Sequence, residues 1–423
     1  RAAPWWAKAA TQALEANDFT GAIARAEAAE RCGARGDDLV EALLARAEAC
    51  SWLDDNPALC ETAGRLAAVA TTIEEEAAAL RWMALGALRA GDASELGSVL
   101  ARVRECAARD GTNDTVVFSA LRIATIALPA GLVASADALA STLEEAEPPL
   151  ETRGARILGA RARWRVARAH HAHDIGRSLE LRREAAALLR SGGDVRTAAA
   201  EEASRGYELA LLGAYEEALE TLEASLAGCR RLGLGYAIAS TQHNLGLALL
   251  GLGRLEEALF VEREAIEAFA ARGNALMEAG SRDYLARILA AAGRAEEAVS
   301  EAARATARLP GEHPAALMAR ASLANALLAR AGPDDAPLAA AHAHAAREAF
   351  RRDPSQFEDP AFILRVHLDA LEANGLEGEA LRAREEARAW VHERAGQLRS
   401  ERYRRSFLES QPDVVRILAT GVA

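Results

Sequence analysis

Lysine is almost missing from this sequence: of fifty basic residues only Lys8 is lysine, and the rest are arginine. Lys8 lies between Ala7 and Ala9, so it cannot belong to the Gly-Lys-Ser/Thr of a phosphate-binding P-loop or supply a kinase strand lysine. HExxH, GxSxG and zinc-spaced cysteine pairs are also missing, which removes the common metalloprotease, serine-hydrolase and zinc-module readings. The five cysteines, Cys32, Cys50, Cys60, Cys106 and Cys229, are dispersed, as expected of small core residues in a reducing compartment. No signal-peptide pattern opens the chain. The longest stretch without formal charge, 232–253, holds Ser240, Thr241, Gln242, His243, Asn244 and several glycines, a poor membrane span. A soluble, cytoplasmic protein with no membrane partner and no cofactor is expected. Because the first residue is Arg1 and not Met, a fragment of a longer polypeptide or a processed product is expected as well.

What the sequence does have is alanine, leucine, glutamate and arginine, the residues with the smallest helix penalty. Aromatic residues make up 4% and apolar residues 51%, enough for a substantial core built mostly from small aliphatic groups. The net charge of −12 disfavours nucleic acid as a partner, since that role needs a basic surface.

Length alone suggests two or three domains, but a repeat overrides that prior. One phrase recurs at a spacing of 40 residues: Gly213-Ala-Tyr-Glu-Glu-Ala218, Gly253-Arg-Leu-Glu-Glu-Ala258 and Gly293-Arg-Ala-Glu-Glu-Ala298. An apolar stripe at helical spacing precedes each phrase, as in Leu245, Ala248, Leu249 and Leu252, and another follows, as in Ala218, Leu219, Leu222 and Leu226. The glycine supplies a left-handed helix end, the two glutamates suit the positive start of the next helix, and the alanine permits close approach. Glu262 breaks this pattern by standing where its stripe calls for an apolar residue. Weaker copies of the second helix are predicted to begin near Asp18, Asn56, Asp92, Gly131, Asp174, Pro337 and Leu376, about ten pairs in all. Thr72-Ile-Glu-Glu75 reads as a capping box and Asp92-Ala-Ser-Glu95 as a similar start. Pro148-Pro149, Pro333 to Pro337 and Asp353-Pro354 read as loops within the array.

Gly-x-Tyr/Leu-Glu-Glu-Ala, following a helix with Asn244-Leu245-Gly246, resembles the tetratricopeptide repeat. The match is strongest over 200–310, where Pro310 fits the proline that closes a repeat, and looser over 1–200 and 311–398. The family's usual period is 34, so a period of 40 resembles the longer-helix variety in the C-terminal arms of bacterial signal-transduction ATPases of the maltose-regulator type and of kinase–ATPase fusions. The tail Tyr403-Arg-Arg-Ser-Phe407-Leu…Pro412…Ile417-Leu418 is similar to the ends of such arms, with capping helices over 399–423. The resemblance implies an all-α fold: a single right-handed superhelical α-solenoid of about ten antiparallel helix pairs, spanning 1–423.

In that family the first helix of each pair lines the concave surface. Carrying the register over from Ala218, Ala258 and Ala298 makes Tyr207, His243, Asn244, Asp283 and Arg287 the groove-facing candidates. The same offset from Ser178 adds Arg163, His170 and His171. Two local clusters coincide with the last group. His170, His171, His173 and Asp174 have helical spacings that could hold a metal, or else form a polar helix end suited to its negative dipole. Arg153, Arg156, Arg161, Arg163, Arg165 and Arg168 form an arginine run. Within it Arg161, Arg165 and Arg168 share a face that reads either as an anion-binding stripe or as a solvated surface paired with Glu144, Glu145 and Glu147. Trp52 and Trp82 fall in helical stripes and are expected in the core. Trp5 and Trp6 cannot both face inward, so one is expected to cap the first repeat or meet a preceding segment.

The expected function is a non-catalytic scaffold binding a protein or peptide, the sensor or regulatory arm of a larger bacterial signalling protein, with another domain of the same polypeptide among the partners considered. The alternatives are a stand-alone regulator binding a small molecule, anion or metal near Arg163, His170 and His171, and an enzyme with an unrecognised site.

Overall fold

The structure, a computed structural model, describes residues 2–146, 148–172 and 174–419. It is all helical. The first nine helices are α1 (Ala3–Glu15), α2 (Phe19–Arg31), α3 (Asp37–Leu53), α4 (Asn56–Val69), α5 (Ile73–Ala90), α6 (Ala93–Arg109), α7 (Asp114–Ala127), α8 (Val133–Glu144) and α9 (Ala155–His171). A regular run follows: α10 (Ile175–Ser191), α11 (Val195–Leu211), α12 (Tyr215–Arg231), α13 (Gly235–Gly251), α14 (Leu255–Ala271) and α15 (Ala275–Ala291). The last seven are α16 (Ala295–Ala307), α17 (Pro314–Arg330), α18 (Asp335–Arg352), α19 (Pro360–Ala373), α20 (Glu377–Gln397), α21 (Glu401–Glu409) and α22 (Pro412–Leu418). The tail that was expected to cap the array over 399–423 holds α21 and α22, and residues 420–423 lie outside the described residues.

Helices α10 to α15 are each 17 residues long. Gly193, Gly213, Gly233, Gly253, Gly273 and Gly293 follow them in turn, all at positive φ. The repeat of 40 is thus two equal steps of helix and turn, each ended by the residue that takes the left-handed conformation without a Cβ clash. At Gly213 a side chain would also meet the Ser406 carbonyl oxygen at 2.8 Å, because the C-terminal helices pack against this turn.

The seven weaker copies start within two residues of their predicted positions. Asp18, Asp55 and Asp92 cap α2, α4 and α6 through hydrogen bonds to Gly21, Ala58 and Glu95 amides. The Thr72–Glu75 capping box is complete. One loop is shorter than expected, since Pro337 falls in the first turn of α18. A proline is tolerated there because that amide has no helical acceptor.

The chain forms two compact units. The first comprises Arg1–Ala172, Glu180–Glu201 and Cys229–Tyr236, and the second His173–Leu179, Glu202–Gly228 and Ala237–Ala423. In the first unit α5 packs on α7 and α7 on α9, so the first helices of successive pairs adjoin. The second unit repeats this with α15, α17 and α19. Each core is aliphatic, centred on Leu80, Leu96, Leu121 and Leu139 in one and Leu222, Leu249, Ile288 and Val366 in the other. Trp82 is buried there, whereas Trp52 is half-buried. Trp5 and Trp6 are 77% and 40% exposed, so neither closes the first repeat by burial. Cys50, Cys106 and Cys229 are buried but Cys32 and Cys60 are exposed, which corrects the expectation that all five are core residues.

Candidate functional site

In the second unit, polar residues of α11, α13 and α15 and of the turn before α19 form a network. His243 on α13 stacks on Tyr284 of α15 with ring centroids 4.4 Å apart. The Tyr284 hydroxyl donates to that of Tyr207 at 3.5 Å, and Tyr207 donates to Glu358 at 2.8 Å. Burial raises both phenol pKa values, so both stay protonated donors across the physiological range. Asn244 donates to the Ala203 carbonyl at 3.4 Å.

Glu262, the residue that broke the stripe of its helix, is completely buried beneath this row. Its Oε2 lies 3.2 Å from His243 Nδ1, and Ser281 Oγ lies 3.1 Å from that same nitrogen. The carboxyl has room because residue 246 is glycine: a Cβ there would sit 2.3 Å from Glu262 Oε1. The glycine of the Asn-Leu-Gly motif therefore houses an acid as well as permitting helix contact. Burial pushes Glu262 up to about 7, and His243 holds back a larger rise. Its Oε1 is buried with no hydrogen-bond partner.

Serine, histidine and carboxylate invite comparison with a hydrolytic triad, but the geometry opposes it. A relay needs the nucleophile and the acid on opposite ring nitrogens, and here both lie on Nδ1. Ser281 is itself wholly buried, away from any substrate.

Asp283 and Arg287, predicted to face a groove, are buried instead. Arg287 lies 2.9 Å from Asp283 and 2.8 Å from Asp359, bonds Ser322 through Nε at 3.1 Å, and stacks 3.7 Å from the Phe362 ring centre. Burial opposes its charge, but the two carboxylates outweigh that effect and raise its pKa. This arginine joins α15, α17 and the start of α19, where Asp359 also caps the helix at the Phe362 amide. Of the five candidates in this unit, Tyr207, His243 and Asn244 remain half-buried. Among the residues that the sequence reading missed, only Glu262 carried a visible signal, a charge in an apolar stripe. Tyr284, Ser281, Glu358 and Asp359 carried none, since the fold alone brings them to His243 and Arg287.

In the first unit, Arg163 donates to Glu201 at 2.6 Å, and Glu201 also takes Arg182 at 2.7 Å. Burial would raise the Glu201 pKa, and the two arginines instead bring it below its ordinary value. His170 and His171 are half-buried in the last turn of α9, while His173 lies outside the described residues. Among the described residues no group of three or more His, Cys, Asp or Glu is placed to hold a metal ion. The arginine run is largely engaged: Arg161 grips Glu144 at 2.6 and 2.5 Å, Arg165 meets Glu184 at 3.3 Å, and Arg168 meets Asp137 at 2.7 Å. Arg153 is buried and holds the carbonyls of Gly111 and Thr112 together with Asp114. Glu147, another acid named beside the run, lies outside the described residues. The stripe of Arg161, Arg165 and Arg168 is thus a paired surface, whereas Arg156 of the same run stacks on Phe118.

No described helix is long and apolar enough to cross a membrane. No curated protein matches the chain in sequence. Its fold is similar to that of a Rap protein complexed with competence and sporulation factor, at 14% identity and a TM-score of 0.54 over 81% of this chain and 98% of that one. Lower scores go to the tetratricopeptide-repeat sensor STAND protein, a signal transduction ATPase with numerous domains, of Pyrococcus horikoshii (0.47, 16% identity, 80% and 53% coverage) and to yeast Tom70 (0.41, 10% identity, 97% and 88% coverage). A tetratricopeptide repeat profile matches residues 196–271. That stretch, α11 to α14, consists of tetratricopeptide repeats, and helices on either side of it continue the same all-α architecture.

Proposed function

We propose that the chain is a non-catalytic scaffold that holds a protein or peptide segment along the first helices of its pairs. In this reading it is the sensor or regulatory arm of a larger bacterial signalling protein. The observation that carries it is the half-buried row Tyr207, His243 and Asn244, held in place by contacts to Tyr284, Glu262, Glu358 and the Ala203 carbonyl. Such a row offers directional hydrogen bonds and stacking faces on rigid helices, which suits an extended segment more than a reaction centre. In the first unit, Arg163, His170 and His171 on α9 are a separate candidate stretch. The Rap protein of similar fold is complexed with competence and sporulation factor, and this reading extends such binding to the present chain.

The test is a tiled array of segments from co-encoded proteins and from any remainder of the parent polypeptide, followed by calorimetry on each hit. A bound segment should lose at least about tenfold in affinity with Tyr207→Ala or His243→Ala, one well-packed contact being worth about 1–2 kcal/mol. Failure to bind any segment, or binding indifferent to both variants, overturns the reading.

A further inference from the structure

Three arginines on successive first helices of the first unit, Arg81, Arg122 and Arg156, form no ion pair with a carboxylate among the described residues. Arg81 on α5 and Arg156 on α9 both stack on Phe118 of α7, with guanidinium carbons 5.1 and 4.1 Å from its ring centre. Arg81 also lies 4.5 Å from the centre of the Trp82 ring. Arg122 follows Phe118 by one turn of α7, on the same helical face.

The acids that act on Arg81 and Arg122 are Glu48, Asp194 and Glu201; two are held by other arginines, and Asp194 brings one negative charge against three positive ones. Glu48 pairs with Arg196 at 2.8 Å, Glu201 with Arg163 and Arg182, and Asp194 caps α11 at the Thr197 amide. Burial and the neighbouring cations push Arg122 down to about 9. The Nε of Arg81 and the indole Nε1 of Trp82 are buried donors with no acceptor among the described residues. Unsatisfied donors beside unmatched positive charge are unfavourable unless something supplies both acceptors and negative charge.

We propose that Arg81, Arg122 and Arg156 form a binding site for the phosphate group of a small ligand. A phosphate brings about −1.5 to −2 charges and three acceptor oxygens, and guanidinium forks bind it bidentately. A lone carboxylate leaves most of the positive charge unmatched. The assignment is independent of the partner-binding reading above. It also differs from the expected stripe of Arg161, Arg165 and Arg168, whose charges are already neutralised.

The test is calorimetric titration of the full chain with inorganic pyrophosphate at fixed ionic strength. One saturable site is expected, weakened at least about tenfold by Arg122→Gln and by Arg156→Gln, each removing a charge-assisted contact. Arg161→Gln, which removes a cation already paired with Glu144, should leave the affinity unchanged. Arg156 is exposed, so its variant keeps the fold even if Arg122→Gln does not, and helical circular dichroism verifies this. Absence of saturable binding, or equal affinity in Arg156→Gln and the parent, overturns the proposal. So does a glutamate-rich peptide that binds these arginines more tightly than pyrophosphate.

Discussion

Arg287 of the second unit and Arg81 and Arg122 of the first all stand on first helices of their pairs, yet their surroundings differ. Arg287 has two carboxylates within 2.9 Å and a serine hydroxyl at 3.1 Å. Arg81 and Arg122 have aromatic faces or like charges nearby, and among the described acids that act on them Glu48 and Glu201 pair with other arginines. The same side chain thus locks helices together in one unit and leaves charge unmatched in the other. Local acid placement decides which, because a buried guanidinium still carries its charge at neutral pH.

The sharpest way to break this comparison is to remove the locked arginine. Arg287→Met strands Asp283 and Asp359 in a buried site and should lower unfolding stability by about 3–5 kcal/mol in urea denaturation. A loss below about 1 kcal/mol would place Arg287 in the same class as Arg81.

Glu262 sharpens the contrast from the acidic side, as a buried carboxylate without a fixed cation. Burial raises its pKa from 4.5 to about 7, so between those values the folded chain keeps a proton that the unfolded chain has lost. Stability therefore falls as pH rises through that window. Glu262→Gln should match the parent near pH 4 and exceed it near pH 8 by on the order of 2–3 kcal/mol. Thermal melts at the two pH values read the difference directly, and equal gains at both would refute the assignment.

Gly246→Ala probes the space beside that acid. The added methyl meets Glu262 and should lower stability by about 1–3 kcal/mol. Combined with Glu262→Ala, most of that loss should return, a coupling that a double-mutant cycle measures. The smallest effect is expected in the first unit. Arg122→Met should leave stability unchanged within about 0.5 kcal/mol or raise it, since no paired acid is left behind. A loss as large as that of Arg287→Met would reveal a structural partner for Arg122 and remove the contrast.

Local chemistry made the architecture legible in the sequence. Helix starts depend on a cap and the few residues after it, so Asp18, Asp55, Thr72 and Asp92 announce α2, α4, α5 and α6 on their own. Helix ends depend on one residue able to turn left-handed, so the glycines at 213, 253 and 293 disclose the period. Apolar spacing then settles which stripe each helix buries. Even the odd position of Glu262 was visible, because a charge in an apolar stripe needs no partner's identity to be noticed. Which distant residues meet a first helix was not legible. Asp359 is 72 residues from Arg287, and Glu358 is 151 residues from Tyr207. No local rule selects those partners over nearer acids, and Asp283 and Arg287 read as groove residues until Asp359 buried them. The free state of Arg81, Arg122 and Arg156 was equally hidden, since it follows from other arginines having claimed Glu48 and Glu201. By itself the sequence determined where helices begin, how long they run and which faces pack. Tertiary structure alone decided which charges are satisfied, because pairing at a few ångströms depends on the stacking of distant helices.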